Sequence, residues 1–166
     1  MNILPILLSG LVLTGSGIFG QGGRDISAGE AYSRLSQPAT YLVDVRTVAE
    51  YVYVGHPEAA FNVPLVFWEE SKMQTVANVN FVDDMLARFQ PSDTLILIDR
   101  NGKRSSLAVR MLGRAGFLDL FTVREGFEGV KDPQGLRTLN GWKNEGLPFT
   151  YLLDPELVYL SPRRDI

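Results

Sequence analysis

The segment Asp99-Arg-Asn-Gly-Lys-Arg-Ser-Ser106 gathers the residues best suited to chemistry in this chain. It follows an unbroken apolar run and leads into a helical pattern. A glycine-containing turn that runs straight into a helix N-terminus aims several backbone N–H groups into one hollow. The helix dipole adds favourable potential there for a negative group. Arg100, Lys103 and Arg104 place three cations within five positions of the turn. The spacing supports two readings side by side: a cradle for a small anion, and an ordinary β-α turn whose charges are solvated.

The flanking sequence alternates between strand and helix patterns. Ser27-Ala-Gly-Glu30 has capping-box spacing and predicts a short helix through Leu35, followed by the β-branched strand Tyr41-Leu-Val-Asp-Val45. Residues 47–54 read as a helix capped by Thr47. Asn80 is placed as the cap of another helix, with Phe81, Met85, Leu86 and Phe89 on one face and Pro91 as its stop. Thr94-Leu-Ile-Leu-Ile98 is an apolar strand of the kind covered on both faces, and Asp119-Leu-Phe-Thr-Val123 is a third. Between them, residues 105–115 align Leu107, Ala108, Met111, Leu112 and Ala115 along a stripe that ends at Gly116. This order predicts an α/β fold, a parallel sheet with right-handed crossovers. Ligands of such open sheets bind outside the carboxyl ends of the strands, which is where the Asp99 loop falls.

Composition narrows the chemistry. The chain has 166 residues, 45% hydrophobic and 21% charged, and no Cys. That excludes disulfides, thiolate metal sites and cysteine nucleophiles. A formal net charge of -3 argues against nucleic acid as a partner. The first 23 residues carry no charged side chain, and the apolar stretch Ile3 to Leu13 is 11 residues long. That is short for a bilayer span but suited to the h-region of a secretory signal. Residues 1–23 are read as a signal peptide or N-terminal anchor plus a Gly-rich linker, and 24–166 as one folded domain. The expected localisation is periplasmic or extracellular, with membrane attachment only if the N-terminal segment is uncleaved.

Asp99-Arg-Asn-Gly-Lys-Arg-Ser105 resembles the active-site loop of rhodanese-like sulfurtransferases, whose usual form is Cys-Arg-Ser-Gly-x-Arg-Ser at the end of the central strand. Tyr41-Leu-Val-Asp-Val-Arg46 is similar to the family's Asp-Val-Arg strand end. Glu50-Tyr51 and Gly55-His-Pro-Glu-Ala-Ala-Phe-Asn-Val-Pro64 resemble its next stretch. Glu125-Gly-Phe-Glu-Gly129 and Asn140-Gly-Trp-Lys-Asn-Glu-Gly-Leu-Pro148 are similar to the C-terminal signature of single-domain exported members. The resemblance implies a three-layer α/β/α domain around a mostly parallel five-stranded sheet. It also implies a loop at which the family's Cys becomes a persulfide and passes sulfur on, and here that position holds Asp99. A carboxylate lacks the soft sulfur that attacks and is attacked in such exchange, so the fold transfers and the reaction does not. One expectation is that the Asp99 carboxylate fills the hollow by accepting hydrogen bonds from the loop amides. The other is that Asp99 turns aside and the three cations recruit an anion.

The remaining residues are assigned in the same terms. Asp44 and Arg46 are expected to pair at a strand-helix junction, and His56 to be hydrogen-bonded within its turn. Ser105 and Ser106 are read as helix caps, and Trp68 and Trp142 with Phe61, Phe67, Phe127 and Phe149 as core aromatics, some of them lining the mouth of the cleft. Phe127 stands where many family members have Gly, so its ring is expected to narrow access to the loop. No metal or cofactor is expected, and the expected partners are a small oxyanion or an envelope protein. The alternative enzyme reading likens Asp99-Arg-Asn-Gly102 to the motif of haloacid dehalogenase-like phosphatases, with Asp99 as nucleophile. That motif usually opens its fold, and here only 64 residues follow Gly102.

Overall fold

The computed structural model describes residues 23–160. The signal or anchor reading of the N-terminal segment therefore lies outside the described residues. Gly23 belongs to the folded unit rather than to a linker: a Cβ there would come within 2.3 Å of Val109 and 3.1 Å of the Leu120 carbonyl. In chain order the elements are β1 Arg24–Ile26, α1 Ala28–Arg34, β2 Thr40–Asp44, α2 Val48–Val54, β3 His56–Pro57, β4 Phe61–Asn62 and β5 Val66–Glu69. They continue with β6 Gln74–Ala77, α3 Phe81–Leu86, β7 Thr94–Ile98, α4 Lys103–Arg114, β8 Asp119–Val123 and β9 Phe149–Thr150.

Five strands form one parallel sheet in the order β1-β8-β7-β2-β4. β7 lies at its centre, and because side chains alternate along a strand it feeds two cores. Leu95 and Leu97 pack with Val43, Val45, Phe81, Met85, Ala108, Val109 and Leu112. Ile96 and Ile98 pack on the opposite face with Ala28, Ala31, Phe121, Phe127 and Trp142. The result is the expected α/β/α layering, with α3 and α4 on one side and α1 on the other. β5 and β6 stand apart as an antiparallel hairpin, and β3 pairs with β9.

Several side chains depart from the sequence reading. The buried stripe of α4 is Ser105, Ala108, Val109 and Leu112, so Leu107 faces solvent at 45% exposure. The helix is rotated toward Val109, which meets Gly23 under the sheet. Leu86 is likewise exposed, because α3 ends there and the core is reached by Phe81, Val82, Met85 and the following Phe89. Asn80 occupies the N-cap position without a side-chain cap. Asn78 serves that turn instead, its Oδ1 accepting the Asn80 N–H at 3.0 Å. Trp68 is 52% exposed, because it lies on the outward face of the β5–β6 hairpin.

Candidate functional site

The site is built at the carboxyl end of β7. Asp99 follows directly and is fully buried. Its Oδ1 accepts the Gly102 N–H at 2.6 Å and the Ser105 hydroxyl at 2.9 Å, and its Oδ2 accepts the Arg104 N–H at 3.1 Å. The carboxylate therefore caps α4, satisfying orphan amides and complementing the positive end of the helix dipole. It is turned into the loop, not aside. Ser105 and Ser106 are not the caps: they lie inside the first turn, where the Ser106 hydroxyl donates back to the Gly102 carbonyl at 2.7 Å and the Ser105 hydroxyl is given to Asp99. The N-cap itself is Gly102, with φ +90°, and a Cβ there would approach the Arg124 carbonyl oxygen to 2.2 Å. Only glycine fits that combination of left-handed backbone and close approach.

Arg104 does not join an open cation cluster. Its guanidinium forms a two-bond fork to Glu50 at 2.7 and 2.6 Å, with Nε 3.7 Å from Asp99. Glu50 also closes a capping box on α2, accepting from the Thr47 N–H and hydroxyl at 3.1 and 2.9 Å. One carboxylate thus ties the start of α2 to the start of α4. Burial pushes the Glu50 carboxyl upward, but the Arg104 contacts and the Thr47 donors outweigh it and hold the group at about 2, against 4.5 ordinarily. Arg104 is correspondingly raised: burial pulls it down, and the Glu50 hydrogen bonds and charge outweigh that.

This has a measurable consequence. Because Glu50 binds its proton more weakly in the folded state, its contribution is complete above about pH 4.5 and is lost as pH falls toward 2. With solvent screening allowed for, about 2 kcal/mol is at stake. Denaturation followed from pH 6 to 2 should show the parent protein losing stability over that window more steeply than Glu50→Gln. Parallel pH profiles would contradict the assignment.

Asp44 and Arg46 form a fully buried ion pair, with Arg46 Nε and Nη2 donating to Asp44 at 2.9 and 2.6 Å. Arg46 Nη2 also donates to the Gly55 carbonyl at 2.7 Å, at the far end of α2. His56 stacks on Tyr51, with centroids 3.6 Å apart, and its Nδ1 lies 3.0 Å from the Tyr51 carbonyl. Burial raises the Tyr51 hydroxyl far above its ordinary value, with the Asp44 charge adding to the effect. Phe127 does not narrow access to the loop. Its amide donates to the Asp99 carbonyl at 2.7 Å, which turns the ring inward under the Arg46 guanidinium, 4.4 Å from the ring centroid.

Outside the capped loop lies an open cleft of about 670 Å³. Arg100, Asn101 and Lys103 of the loop line it, together with Glu50, Asp99 and Arg104. Among the wall residues, Val66, Thr75 and Arg137 were not singled out as site residues from the sequence. Val66, Trp68 and Thr75 come from one face of the β5–β6 hairpin, where Trp68 pairs with Thr75 across the strands. Arg137 arrives from residues 130–139, and its guanidinium donates to the Gly129 carbonyl. The chain around Arg137 is held by Asp132, whose carboxylate accepts from the Gln134 and Leu136 amides and the Thr138 hydroxyl. The Thr138 hydroxyl and these amides hold Asp132 below the usual carboxylate range. Arg137 carried no signal in the sequence, since its approach depends on this turn.

A parallel sheet whose central strand runs into a glycine-containing loop and a helix N-terminus makes this an open α/β domain with its site at the carboxyl end of that strand. The family model for the Rhodanese-like domain matches residues 27–133, and the chain belongs to that family. It is 33% identical over 123 residues to thiosulfate sulfurtransferase 16 of Arabidopsis thaliana chloroplasts, covering 74% of this chain and 89% of the relative. An uncharacterized protein of Rickettsia prowazekii is 29% identical over 131 residues, covering 77% of this chain and 98% of its own length. Among solved structures, the crystal structure of Rv0390 from M. tuberculosis is similar with a TM-score of 0.69 and 31% identity. That match covers 78% of this chain and 98% of the other.

Proposed function

We propose that this rhodanese-like domain is a binding module that performs no persulfide transfer, because Asp99 occupies the position of the family's nucleophilic Cys. The observation that carries the reading is the inward-turned Asp99 carboxylate. It uses the Gly102 and Arg104 amides and the Ser105 hydroxyl that would otherwise be free to hold a sulfur-bound anion. The chain has no Cys elsewhere to take over the step. An anionic ligand, either a small oxyanion or an acidic group of an envelope protein, would meet Arg100 and Lys103 in the outer cleft instead. A nucleophilic role for Asp99 is disfavoured by the same geometry, since both carboxylate oxygens already accept hydrogen bonds and the group is fully buried. The composition of residues 1–23 supports export of the domain. Fractionation of expressing cells, with the mature mass measured, tests that placement, and recovery of the uncleaved chain in the cytosol would overturn it.

The activity test is a thiosulfate:cyanide sulfurtransferase assay of the parent beside Asp99→Cys. The parent should stay at background. The variant places a thiol at a helix N-terminus, where the thiolate is favoured, and should rise at least about tenfold above background. Transfer by the parent would overturn the reading. An inert variant that folds with parental stability would show that more than the nucleophile has been lost.

A further inference from the structure

The floor of the cleft and its outer walls have different chemistry. At the floor, the loop amides and Arg104 are already engaged by Asp99 and Glu50. Further out, Arg100 and Lys103 point their charged side chains into solvent, and Arg137 stands at the edge with its side chain 18% exposed and its Nε 3.9 Å from the Glu128 carboxylate, which partly offsets its charge. Facing these cations is the hairpin wall of Val66, Trp68 and Thr75. The hairpin is braced from behind. Phe67, on its other face, packs on Tyr159 with centroids 5.6 Å apart, and the Tyr159 hydroxyl donates to Asp84 at 3.1 Å. Burial and the Asp84 carboxylate push the Tyr159 hydroxyl up to about 12. It belongs to a C-terminal segment beyond the residues that match the family. An exposed indole on a braced wall, opposite the exposed cations Arg100 and Lys103 and the partly offset Arg137, is an apolar surface with a mainly positive rim.

We propose that the outer cleft docks an acidic peptide segment of a partner protein, with one large apolar side chain seated on Trp68 and flanking carboxylates paired with Arg100, Lys103 and Arg137. This deepens the binding reading above and rests on it. Size and charge both favour a peptide over a free oxyanion. The cleft, at about 670 Å³, falls within the range of sites that bury drug-sized ligands. A small oxyanion would need several converging donors, and the converging donors are at the floor, already in use. The rim cations come from two separate loops and suit charges spaced along a chain. Trp and Arg are the residue types that most often dominate binding energy at protein interfaces, and rim charges of one sign select the partner and speed its approach.

The test uses a fluorescein-labelled dodecapeptide carrying a single Phe among glutamates, titrated against the full chain. Its controls are the same peptide with Lys for Glu, the same peptide with Ala for Phe, and inorganic sulfate. The acidic Phe peptide should bind at least about tenfold more tightly than either control peptide, with an affinity that falls as salt rises. Trp68→Ala and Lys103→Glu should each weaken it by about tenfold or more, and both residues are exposed, so neither change disturbs the core. Arg137→Gln should weaken it too, with circular dichroism showing an intact fold. Failure of the acidic peptide to bind, or equal binding by the controls, overturns the proposal. Tight sulfate binding that displaces the peptide overturns it as well, yet leaves the anion-binding reading standing. Sulfur transfer by the parent would instead strike the non-catalytic reading.

Discussion

Replacing Arg46 with Ala is expected to lower the unfolding free energy by about 3 to 5 kcal/mol, a large part of the whole for a domain of this size. The reason lies in what would remain. Asp44 is fully buried, and its carboxylate holds two guanidinium nitrogens and the Arg46 amide. Without Arg46, a carboxylate would be left in the core with one donor, and burying an unpaired charge costs far more than the pair contributes over an apolar substitute. The loss would also spread toward the site. Arg46 holds the end of α2 through the Gly55 carbonyl, while Glu50 at the start of α2 grips Arg104. The exposed pair Arg34–Glu30, with side chains 40% and 47% accessible, supplies the contrast. Arg34→Ala should cost no more than about 0.5 kcal/mol. Urea denaturation of both variants measures the difference, and a loss below about 1 kcal/mol for Arg46→Ala would contradict the burial argument.

What the sequence made legible follows from how local each signal is. β7 is an apolar run after its opening Thr94, β8 is a short segment rich in strand-forming residues, and both strands begin and end where those patterns do. Thr47 and Glu50 form their capping box because that motif needs only residues three apart. The Asp99 loop stands out because strand, glycine and helix follow one another directly. The outer cleft was opaque for the opposite reason. The β5–β6 hairpin is half exposed on one face, so Trp68 in an aromatic-rich stretch reads as core until its strand partners are known. β1 is a three-residue edge strand whose identity depends on pairing with β8, some hundred residues away. Arg104 looked like a free cation, and its neutralisation by Glu50, 54 positions upstream, is a tertiary fact. Phe127 is the core aromatic its type suggests, and only the narrowing expected of its ring fails, since sequence locates a residue before it orients a ring.

Gly126→Ala should be among the most damaging single-methyl changes at the site, with an expected loss of about 3 kcal/mol or more. Gly126 has φ +68°, where any other residue is strained by about 1 kcal/mol or somewhat more. Strain is the smaller part. An added Cβ would sit 2.5 Å from the Arg100 carbonyl carbon, the Asn101 nitrogen and the Asp99 carbonyl oxygen, all of them backbone atoms that no rotamer change can move. The two loops meeting there are stitched together by the Phe127 and Glu128 amides, which donate to the Asp99 and Arg100 carbonyls at 2.7 and 3.1 Å. Separating them by the width of a methyl would stretch both bonds and shift Asp99 off the amides it caps. Gly116 separates strain from collision: it has φ +99° with nothing within 4 Å of a built Cβ. Gly116→Ala should therefore cost only about 1 kcal/mol. Hydrogen exchange adds a local readout, since the Phe127 and Glu128 amides should lose protection in Gly126→Ala and keep it in Gly116→Ala. Equal stability losses in the two variants would mean that the loop pair yields freely, and that the Asp99 cap is held by α4 alone.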